Sequence, residues 1–218
     1  PELLEEGDPA GFDRAFGDGI FEYGETHPRF GDALNEYMSA RSRWETDLVL
    51  ETLEPYDWSR FSRVCDVGGG HGHLLSHVLA RHTHLEGVVL DLPGVVSEED
   101  KQWAPEVGVA DRWDYRAGDM FDAVPEADAY FLKSILHDWG EDACVDVLSN
   151  IHEASPPDAR LFVVEAIVPG PGTEHYAKQL DVWMLVLTGG RERTEAEHTA
   201  LLDRSDWEHV ETWVPDAG

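Results

Sequence analysis

The stretch that decides the fold is CDVGGGHGHLL, residues 65–75. A short apolar run leads into four glycines within five residues, and an apolar segment follows them. This order is typical of a buried strand, a glycine turn and the start of a helix, an arrangement that lets a ligand approach backbone N–H groups closely. The stretch therefore predicts a nucleotide-type site on an α/β fold.

The spacing of these glycines separates the kinds of nucleotide site. A dinucleotide fingerprint GxGxxG that begins at Gly68 needs glycine at position 73, where the chain has His73. No lysine follows in the way that a phosphate-binding P-loop requires. The spacing found is DxGxGxG with Asp66 in front, and this acid can accept a hydrogen bond from the ammonium group of an amino-acid moiety. A nucleotide-dependent oxidoreductase is therefore a disfavoured alternative.

The same unit of apolar run, turn and amphipathic segment recurs along the chain. Five apolar runs without strict alternation occur in RVCDVGGG, EGVVLDLPG, DRWDYRAGDMF, ADAYFLKSILH and ARLFVVEAIVPG. Short runs of this kind, separated by helical lengths, predict parallel strands that are buried on both faces. The predicted fold class is α/β, a doubly wound, Rossmann-like sheet with helices on both faces and an amino-terminal helical segment.

Polar residues follow each of the five predicted strands. In doubly wound sheets, ligands bind outside the carboxyl ends of the strands, where the strand order reverses. The polar groups at these ends are Asp66, Asp91, Asp119, Lys133 with His137, and Glu165. Asp91 lies about 20 residues beyond the glycines, where an acid can accept both hydroxyls of a ribose. Because all five ends carry such a group, a site explains His137 better than a buried structural histidine does.

The charge of the chain excludes two classes of partner. Asp and Glu number 45 against 16 Lys and Arg, which gives a net charge of -29. A surface of this sign repels phosphate backbones and anionic lipids, so neither nucleic acid nor a membrane is expected as a partner. The acids are scattered and do not form a tail, which favours a solvated acidic shell of the kind that suits a salt-rich, halophilic cytoplasm.

Other compositional features favour a cytoplasmic protein. No apolar run approaches the roughly 20 residues of a membrane span, and no basic segment leads into an apolar one at the amino terminus. Cys65 and Cys144 lie far apart and form no CxxC pair, so two reduced thiols are expected. His73 and His77 have the spacing of two ligands on a helix face, but no matching carboxylate or cysteine motif accompanies them. No metal is therefore expected.

From about Gly11 to Val214 the chain resembles the catalytic domain of the small-molecule O-methyltransferases that use S-adenosylmethionine. This is the family of plant caffeate and flavonoid enzymes and their relatives in bacterial antibiotic pathways. The motifs that carry the resemblance, in the family's order and spacing, are FEYGETHPRF, DVGGGHG, LDLPGVV, AGDMFDAVPEADAYFLKSILHDW, VVEAIVP and LTGGRERTEAE. The resemblance implies S-adenosylmethionine as the cofactor and a small hydroxylated, aromatic molecule as the methyl acceptor.

The resemblance also assigns roles to individual residues. It implies that His137 is the general base, with Glu165 and Glu192 beside it. The residues implied at the cofactor are Ser42, Asp66, Gly68, Gly70, Asp91, Leu92, Asp119, Met120 and Lys133. Those implied along the acceptor pocket are Phe30, Met38, Trp139 and Met184. Each of these four apolar side chains would be equally at home in a core.

Two departures from the family affect the expected organisation. Family members carry an amino-terminal helical domain that dimerises and closes the acceptor pocket, and this chain starts after it; they also have a final strand after VETWVP, which is missing here. We expect residues 1–60 to be a helical lead-in that contributes to the acceptor pocket and residues 61–218 to be the cofactor-binding catalytic domain. A homodimer stays possible, although the usual dimerisation domain is missing. A domain that binds S-adenosylmethionine without catalysis, having lost its cap, stays open as the alternative function.

Overall fold

The computed structural model describes residues 10–215 and contains one parallel sheet. Its strands are β1 (Arg63–Val67), β2 (Glu86–Asp91), β3 (Trp113–Ala117), β4 (Ala129–Lys133) and β5 (Arg160–Val164). They lie in the order β3-β2-β1-β4-β5, and every pairing is parallel. The chain moves outward in one direction from β1 to β3 and in the other from β4 to β5, so the order reverses between β1 and β4. This confirms the predicted doubly wound, Rossmann-like α/β class.

Nine α-helices accompany the sheet in the described part of the chain. They are α1 (Gly11–Phe16), α2 (Ile20–Thr26), α3 (Pro28–Thr52), α4 (His73–Arg81), α5 (Pro93–Val96), α6 (Trp103–Val107), α7 (Glu141–Ala154), α8 (Tyr176–Leu187) and α9 (Glu195–Arg204). Short 3-10 helices lie at Trp58–Arg60, Glu99–Lys101, Ala110–Arg112 and Leu136–Asp138. None of the helices described is both long enough and apolar enough to cross a bilayer.

The central strands are buried on both faces, as their sequence predicts. Val64, Cys65 and Val67 of β1 are fully buried, although neighbouring side chains of a strand point to opposite faces. β2 and β4 show the same pattern, whereas the edge strands β3 and β5 are only half-buried over most of their length. Near-continuous apolar runs therefore mark the strands that helices and loops cover on both sides.

The described residues form two compact units. The sheet unit comprises residues 39–133, 147–164 and 210–215, and it contains all five strands. The helical unit comprises residues 10–38, 134–146 and 165–209. Each unit draws on segments from both sides of residue 60, where the sequence predicts the end of a helical lead-in.

Aromatic packing and a helix contact organise the first helices of the helical unit. The ring of Phe12 lies with its centroid 4.5 Å from that of Phe16, 5.5 Å from Tyr23 and 5.7 Å from Phe30. Helix α1 also packs against α8, where Gly11 lies against Val186. Aromatic pairs at these separations stabilise a fold beyond the apolar area that they bury. Phe30, an expected acceptor-pocket residue, therefore contributes to the packing of this unit.

Candidate active site

The glycine turn after β1 has a backbone that other residues rarely adopt. Gly68, Gly70 and Gly72 have φ values of +67°, +60° and +78°, in the left-handed region that favours glycine. A Cβ on Gly69 would come within 2.6 Å of the Asp66 carboxyl carbon. The turn is therefore folded closely over Asp66, and its sequence of glycines is a steric requirement.

Asp91, the last residue of β2, is bonded directly to this turn. Its Oδ2 accepts a hydrogen bond from the Gly70 N–H at 2.8 Å, and its Oδ1 accepts one from Leu92 N–H at 2.7 Å. Burial raises the pKa of Asp91, although these two N–H groups act in the opposite direction. A carboxylate has about four acceptor positions, so Asp91 retains capacity for about two further donors.

Asp66 carries a buried oxygen without a partner. The residue is 1% exposed, and its Oδ1 makes no hydrogen bond with the residues that the structure describes. Burial raises the pKa of Asp66 to about 7, while Lys133 lowers it and Asp91 raises it further. An unpartnered buried carboxylate is costly, so this oxygen suits a ligand that brings a cationic donor.

Lys133, the last residue of β4, pairs with an acid on α3. Its Nζ lies 3.2 Å from Oε2 of Glu45. Burial alone would raise the pKa of Glu45, but Lys133 and Arg41 lower it below its ordinary value. The expected cofactor residue Ser42 is half-buried three positions before Glu45, and residues at that spacing share a helix face. Glu45 itself was not expected from the sequence, because it is one acid among many.

The turn after β3 places Asp119 and Met120 at the surface of the sheet unit. Asp119 is exposed and its Oδ1 accepts a hydrogen bond from Phe121 N–H at 2.9 Å, while Met120 is half-buried. Asn150 of α7 donates from Nδ2 to the carbonyl oxygens of Met120 and Phe121, at 2.9 and 2.8 Å. The sequence did not predict this role for Asn150, since one amide on an amphipathic helix gives no signal.

Side chains of β3 also fix the glycine turn, and sequence reasoning missed them. The Tyr115 hydroxyl donates to the Gly70 carbonyl oxygen. The Trp113 ring fills the space where a Cβ on Gly72 would lie. Both aromatic residues are typical of a strand that contributes to a core, and the pattern alone cannot distinguish that role from support of a ligand-binding turn.

A further contact ties the turn to the segment after β2. His71 Nε2 lies 2.8 Å from Oε2 of Glu98, and Lys101 Nζ lies 2.7 Å from the other oxygen of the same carboxylate. The backbone N–H of Trp103 donates to the His71 carbonyl oxygen at 3.2 Å. The turn that carries Gly68 and Gly70, two of the residues expected at the cofactor, is thus bonded to β2, to β3 and to the segment that follows β2.

In the helical unit, the structure brings the three expected catalytic residues together. His137 lies in the 3-10 turn Leu136–Asp138 and is 5% exposed. Its Nδ1 lies 2.8 Å from Glu192 Oε1 and 3.5 Å from Glu165 Oε2. Its other ring nitrogen, Nε2, lies 3.9 Å from Oδ1 of Asp138. The predicted carboxylate within hydrogen-bond reach of His137 is therefore present, and it is that of Glu192.

The electrostatics of this cluster favour a protonated ring. Burial lowers the pKa of His137, but the carboxylates of Glu165, Glu192 and Asp138 together raise it to about 9. Burial also raises the pKa of Glu165, an effect that the charge of His137 partly offsets. With Nδ1–H directed at Glu192, the neutral ring carries its lone pair on Nε2. The cluster can therefore take up a proton at Nε2 and stabilise the resulting cation.

The segment that carries Glu192 is held by a close approach of two backbone segments and by one hydrogen bond to an acid on α8. A Cβ on Gly190 would collide with the His137 carbonyl oxygen, so the chain can pass this closely only with glycine. The backbone N–H of Glu192 donates to Oδ1 of Asp181 on α8 at 3.0 Å. The motif LTGGRERTEAE thus places Glu192 against the ring through local backbone contacts.

The same three side chains are the group, among residues 10–215, that could hold a metal ion. One ligand atom each from His137, Glu165 and Glu192 lies within 4.8 Å of the others. His73 and His77 do not extend to such a group; His77 Nδ1 instead contacts the carbonyl oxygen of His73 at 2.8 Å. In the cluster of His137, Glu165 and Glu192, Nδ1 of the histidine and Oε1 of each glutamate make hydrogen bonds, whereas Oε2 of each glutamate has no hydrogen-bond partner among the described residues. The absence of a metal stays a prediction.

The four expected acceptor-pocket residues all belong to the helical unit. Trp139 follows the His137 turn and is half-buried, and Met184 of α8 is 7% exposed. Met38 of α3 is 39% exposed, whereas Phe30 is part of the aromatic packing around Phe12. Their role towards an acceptor stays a prediction.

Comparison with known proteins assigns the chain to a family. The family model described as an O-methyltransferase domain matches residues 2–208. The chain belongs to this family. A phenazine O-methyltransferase from Lysobacter antibioticus is 35% identical over 195 residues, which are 89% of this chain and 56% of that protein.

Solved structures of this O-methyltransferase family agree with the fold. The mitomycin 7-O-methyltransferase MmcR matches with a TM-score of 0.87 and 34% identity, over 96% of this chain and 61% of that one. The O-methyltransferase NcsB1 of neocarzinostatin biosynthesis, solved with S-adenosylhomocysteine and 1,4-dihydroxy-2-naphthoic acid, matches with a TM-score of 0.79 and 31% identity, over 90% of this chain and 58% of that one. The chain spans about half of the length of the curated relatives that it matches.

Proposed function

We propose that the chain is an S-adenosylmethionine-dependent O-methyltransferase that acts on a hydroxyl of a small aromatic molecule, with His137 as the general base. The observation that carries this proposal is a buried imidazole whose Nδ1 lies 2.8 Å from one buried carboxylate and 3.5 Å from another. A domain that only binds a cofactor has no need of a base held in this way.

The cofactor is S-adenosylmethionine, and the residues of the sheet unit fit it. The unpartnered Oδ1 of Asp66 would accept from the ammonium group of the methionine moiety, beside the backbone of Gly68 and Gly70. Asp91, with Leu92 beside it, would take the ribose hydroxyls. Around these, Asp119 and Met120 would contact the adenine, and Lys133 and Ser42 would complete the pocket. When bound, the cofactor supplies a methyl group activated on a sulfonium.

His137 would serve the reaction by removing a proton. Nε2 of His137 would take up the hydroxyl proton as the acceptor oxygen bonds to the methyl carbon, and the electron pair of the broken carbon–sulfur bond would stay with sulfur. A phenol titrates near ~10 and an ordinary imidazole near ~6.5, so this transfer is uphill by roughly 5 kcal/mol for an unassisted ring. The carboxylates that raise the pKa of His137 to about 9 reduce the mismatch to about one unit.

Glu192 and Glu165 would hold the imidazolium once it has formed. Both side chains are almost fully buried, at 0% and 2% exposure, where a charge interaction is screened less than at a surface. The contact of Glu192 with Nδ1 also fixes the tautomer, so that Nε2 is the atom free to accept the proton. Beyond this, positioning of the two reactants supplies the catalysis, for which effective molarities of order 10⁵ M are available.

The acceptor class follows from chemistry and from the relatives. A phenolic hydroxyl is acidic enough for a base with a pKa near 9, whereas an aliphatic alcohol is not. One relative is named for a phenazine, and another was solved with 1,4-dihydroxy-2-naphthoic acid. We infer a small hydroxylated aromatic acceptor.

The test is methyl transfer itself. The protein is incubated with methyl-labelled S-adenosylmethionine and a panel of hydroxylated benzoates, cinnamates, naphthoates and phenazines, and products are identified by mass spectrometry. We expect a methyl ether of at least one member. Binding of S-adenosylmethionine in calorimetry with no transfer across the panel would instead support the alternative, a cofactor-binding domain without catalysis.

A further inference from the structure

Arg193, one residue after Glu192, is buried around the His137 turn. It is 1% exposed, and its guanidinium donates from Nη1 to the Leu136 carbonyl oxygen at 2.7 Å and from Nη2 to that of Trp139 at 2.8 Å. These two carbonyls lie on either side of His137 in the chain. A planar guanidinium with a rigid fork of donors can hold two acceptors in one fixed geometry.

Glu165 binds the backbone N–H groups of the same turn. Its Oε1 accepts hydrogen bonds from the backbone N–H groups of Ile135, at 2.9 Å, and Leu136, at 2.7 Å. Glu165 therefore holds the N–H groups of the turn, and Arg193 holds its carbonyl groups. Cys144 adds a weaker contact from Sγ to the Leu136 carbonyl oxygen at 3.3 Å.

Arg193 and Glu192 act on different parts of the same target. Glu192 contacts the ring of His137, and Arg193 contacts the backbone that carries it. Their own segment is anchored as well, because the Arg193 carbonyl oxygen accepts a hydrogen bond from Val168 N–H at 2.9 Å. The distance between the ring and the Glu192 carboxylate thus depends on how the two segments are held together.

Stability alone is a poor explanation for this arginine. Burying a guanidinium has a large desolvation cost, and apolar side chains of similar volume often stabilise a protein as well or better. The Nε of Arg193 also lacks a hydrogen-bond partner among the described residues. The geometry of the two carbonyl contacts is what a Met or Leu at this position could not supply.

We propose that Arg193 is a positioning residue for the general base: its hydrogen bonds to the carbonyls of Leu136 and Trp139 hold the His137 ring against Glu192. The consequence for the rate rests on the proposed function, but the placement of the ring does not. Loss of the clamp weakens the contact between Nδ1 and Glu192. The titratable groups that face the ring are Glu165, Glu192 and Asp138, so its proton affinity reports their approach.

The experiment compares Arg193→Met and Arg193→Lys with Arg191→Met. Arg191 lies two residues earlier, and its 41% exposed side chain pairs with Glu141 and Glu197, so it controls for loss of a positive charge in this segment. Histidine ring signals are followed by NMR from pH 5 to 10.5, and the His137 signal is assigned by its absence in His137→Gln. Turnover and S-adenosylmethionine binding are measured on the same samples.

We expect His137 to titrate at clearly lower pH in Arg193→Met, and kcat to fall at least tenfold while cofactor affinity changes less than twofold. Arg193→Lys should recover part of both effects, and Arg191→Met should match the wild type. If Arg193→Met does not fold, Arg193→Lys tests the proposal instead, because one ammonium group cannot reproduce the hydrogen bonds of the guanidinium to both carbonyl oxygens.

Two outcomes separate this inference from the proposed function. Unchanged titration of His137 in a folded Arg193 variant, with unchanged kcat, would overturn the positioning role. A lowered titration in a protein whose wild type transfers no methyl group would support the positioning role while the proposed function fails.

Discussion

His137 and Glu192 lie 55 residues apart in the chain, yet Nδ1 of the histidine is 2.8 Å from Oε1 of the glutamate in a buried environment. This contact orients the ring, assigns the proton on the neutral imidazole to Nδ1 and leaves Nε2 as the acceptor. The proposed role of His137 as a general base predicts how the activity depends on pH, on metal ions and on single substitutions.

The rate of methyl transfer should rise with pH until about 9. A general base must be unprotonated, and the carboxylates around His137 raise its pKa to about 9 in spite of burial. Below that pH, kcat/KM for the acceptor, measured at saturating S-adenosylmethionine, should therefore increase about tenfold per unit. Initial rates from pH 6 to 10.5, with an acceptor of known hydroxyl pKa, check this expectation. In Glu192→Gln the midpoint of the pH–rate profile should lie at lower pH. A wild-type midpoint near 6.5 would contradict the role of the carboxylates.

Chelation should leave the activity unchanged. Although donor atoms of His137, Glu165 and Glu192 lie within 4.8 Å of one another, we predict that they handle a proton and not a metal ion. Turnover is measured after dialysis against EDTA, and again after Mg²⁺, Mn²⁺ or Zn²⁺ is added back. Loss of activity that one of these ions restores would show that the cluster binds a cation.

Substitution of Asp91 should weaken cofactor binding. Asp91→Ala would remove the proposed charged acceptor of two ribose hydroxyls and would also free the Gly70 N–H, so the loss should be about 2 kcal/mol or more, roughly 30-fold in Kd. Asp114→Ala is the control, because its 45% exposed carboxylate on the neighbouring strand pairs with Arg63 and Arg116. Titration calorimetry with S-adenosylmethionine measures both; equal affinities would remove Asp91 from the site.

Titration calorimetry also tests whether the protein binds NAD. The glycine spacing, with His73 at the position where a dinucleotide fingerprint has glycine, predicts that NAD does not bind measurably. A micromolar Kd for NAD would revive the oxidoreductase alternative.

Cofactor affinity should itself depend on pH through Asp66. Burial raises the pKa of this acid to about 7 in the free protein, and a proton competes with the ligand's ammonium for the carboxylate. Affinity should therefore fall about tenfold per unit as the pH drops below about 7, and it should decline again above ~8, where an α-amino group loses its proton. Calorimetry from pH 5.5 to 9 follows both limbs. In Asp66→Asn the acidic limb should vanish; its persistence there would assign it to another group.

The strands and the glycine turn could be predicted because their signals are local. The apolar runs around Val64, Val88 and Phe131 are short and continuous, and the glycines at 68, 70 and 72 take backbone angles that few other residues can. The segment VVSEEDKQWA has the pattern of one amphipathic stretch, but the structure has three short helices here, and Pro93, Gly94 and Pro105 lie in or beside them.

The supporting side chains could not be predicted in the same way. Arg193, Tyr115 and Asn150 all act by hydrogen bonds to backbone carbonyls of residues that are 29 to 57 positions away. Such contacts depend on the tertiary fold and leave no periodicity or spacing in the sequence. His137 and Glu165 could be assigned to a site from their strand-end positions, whereas Glu192 could be named only through the family resemblance.

The most direct test of the central claim is replacement of the base itself. His137→Gln should keep the fold, as judged by circular dichroism and thermal unfolding, and should bind S-adenosylmethionine with wild-type affinity. The rate of methyl transfer, measured in a single turnover at pH 9 with saturating labelled cofactor and a phenolic acceptor, should fall by about 10² or more. His152→Gln, at an exposed histidine of α7, should transfer at the wild-type rate. A His137→Gln protein that binds the cofactor and methylates the acceptor as fast as the wild type would contradict the account.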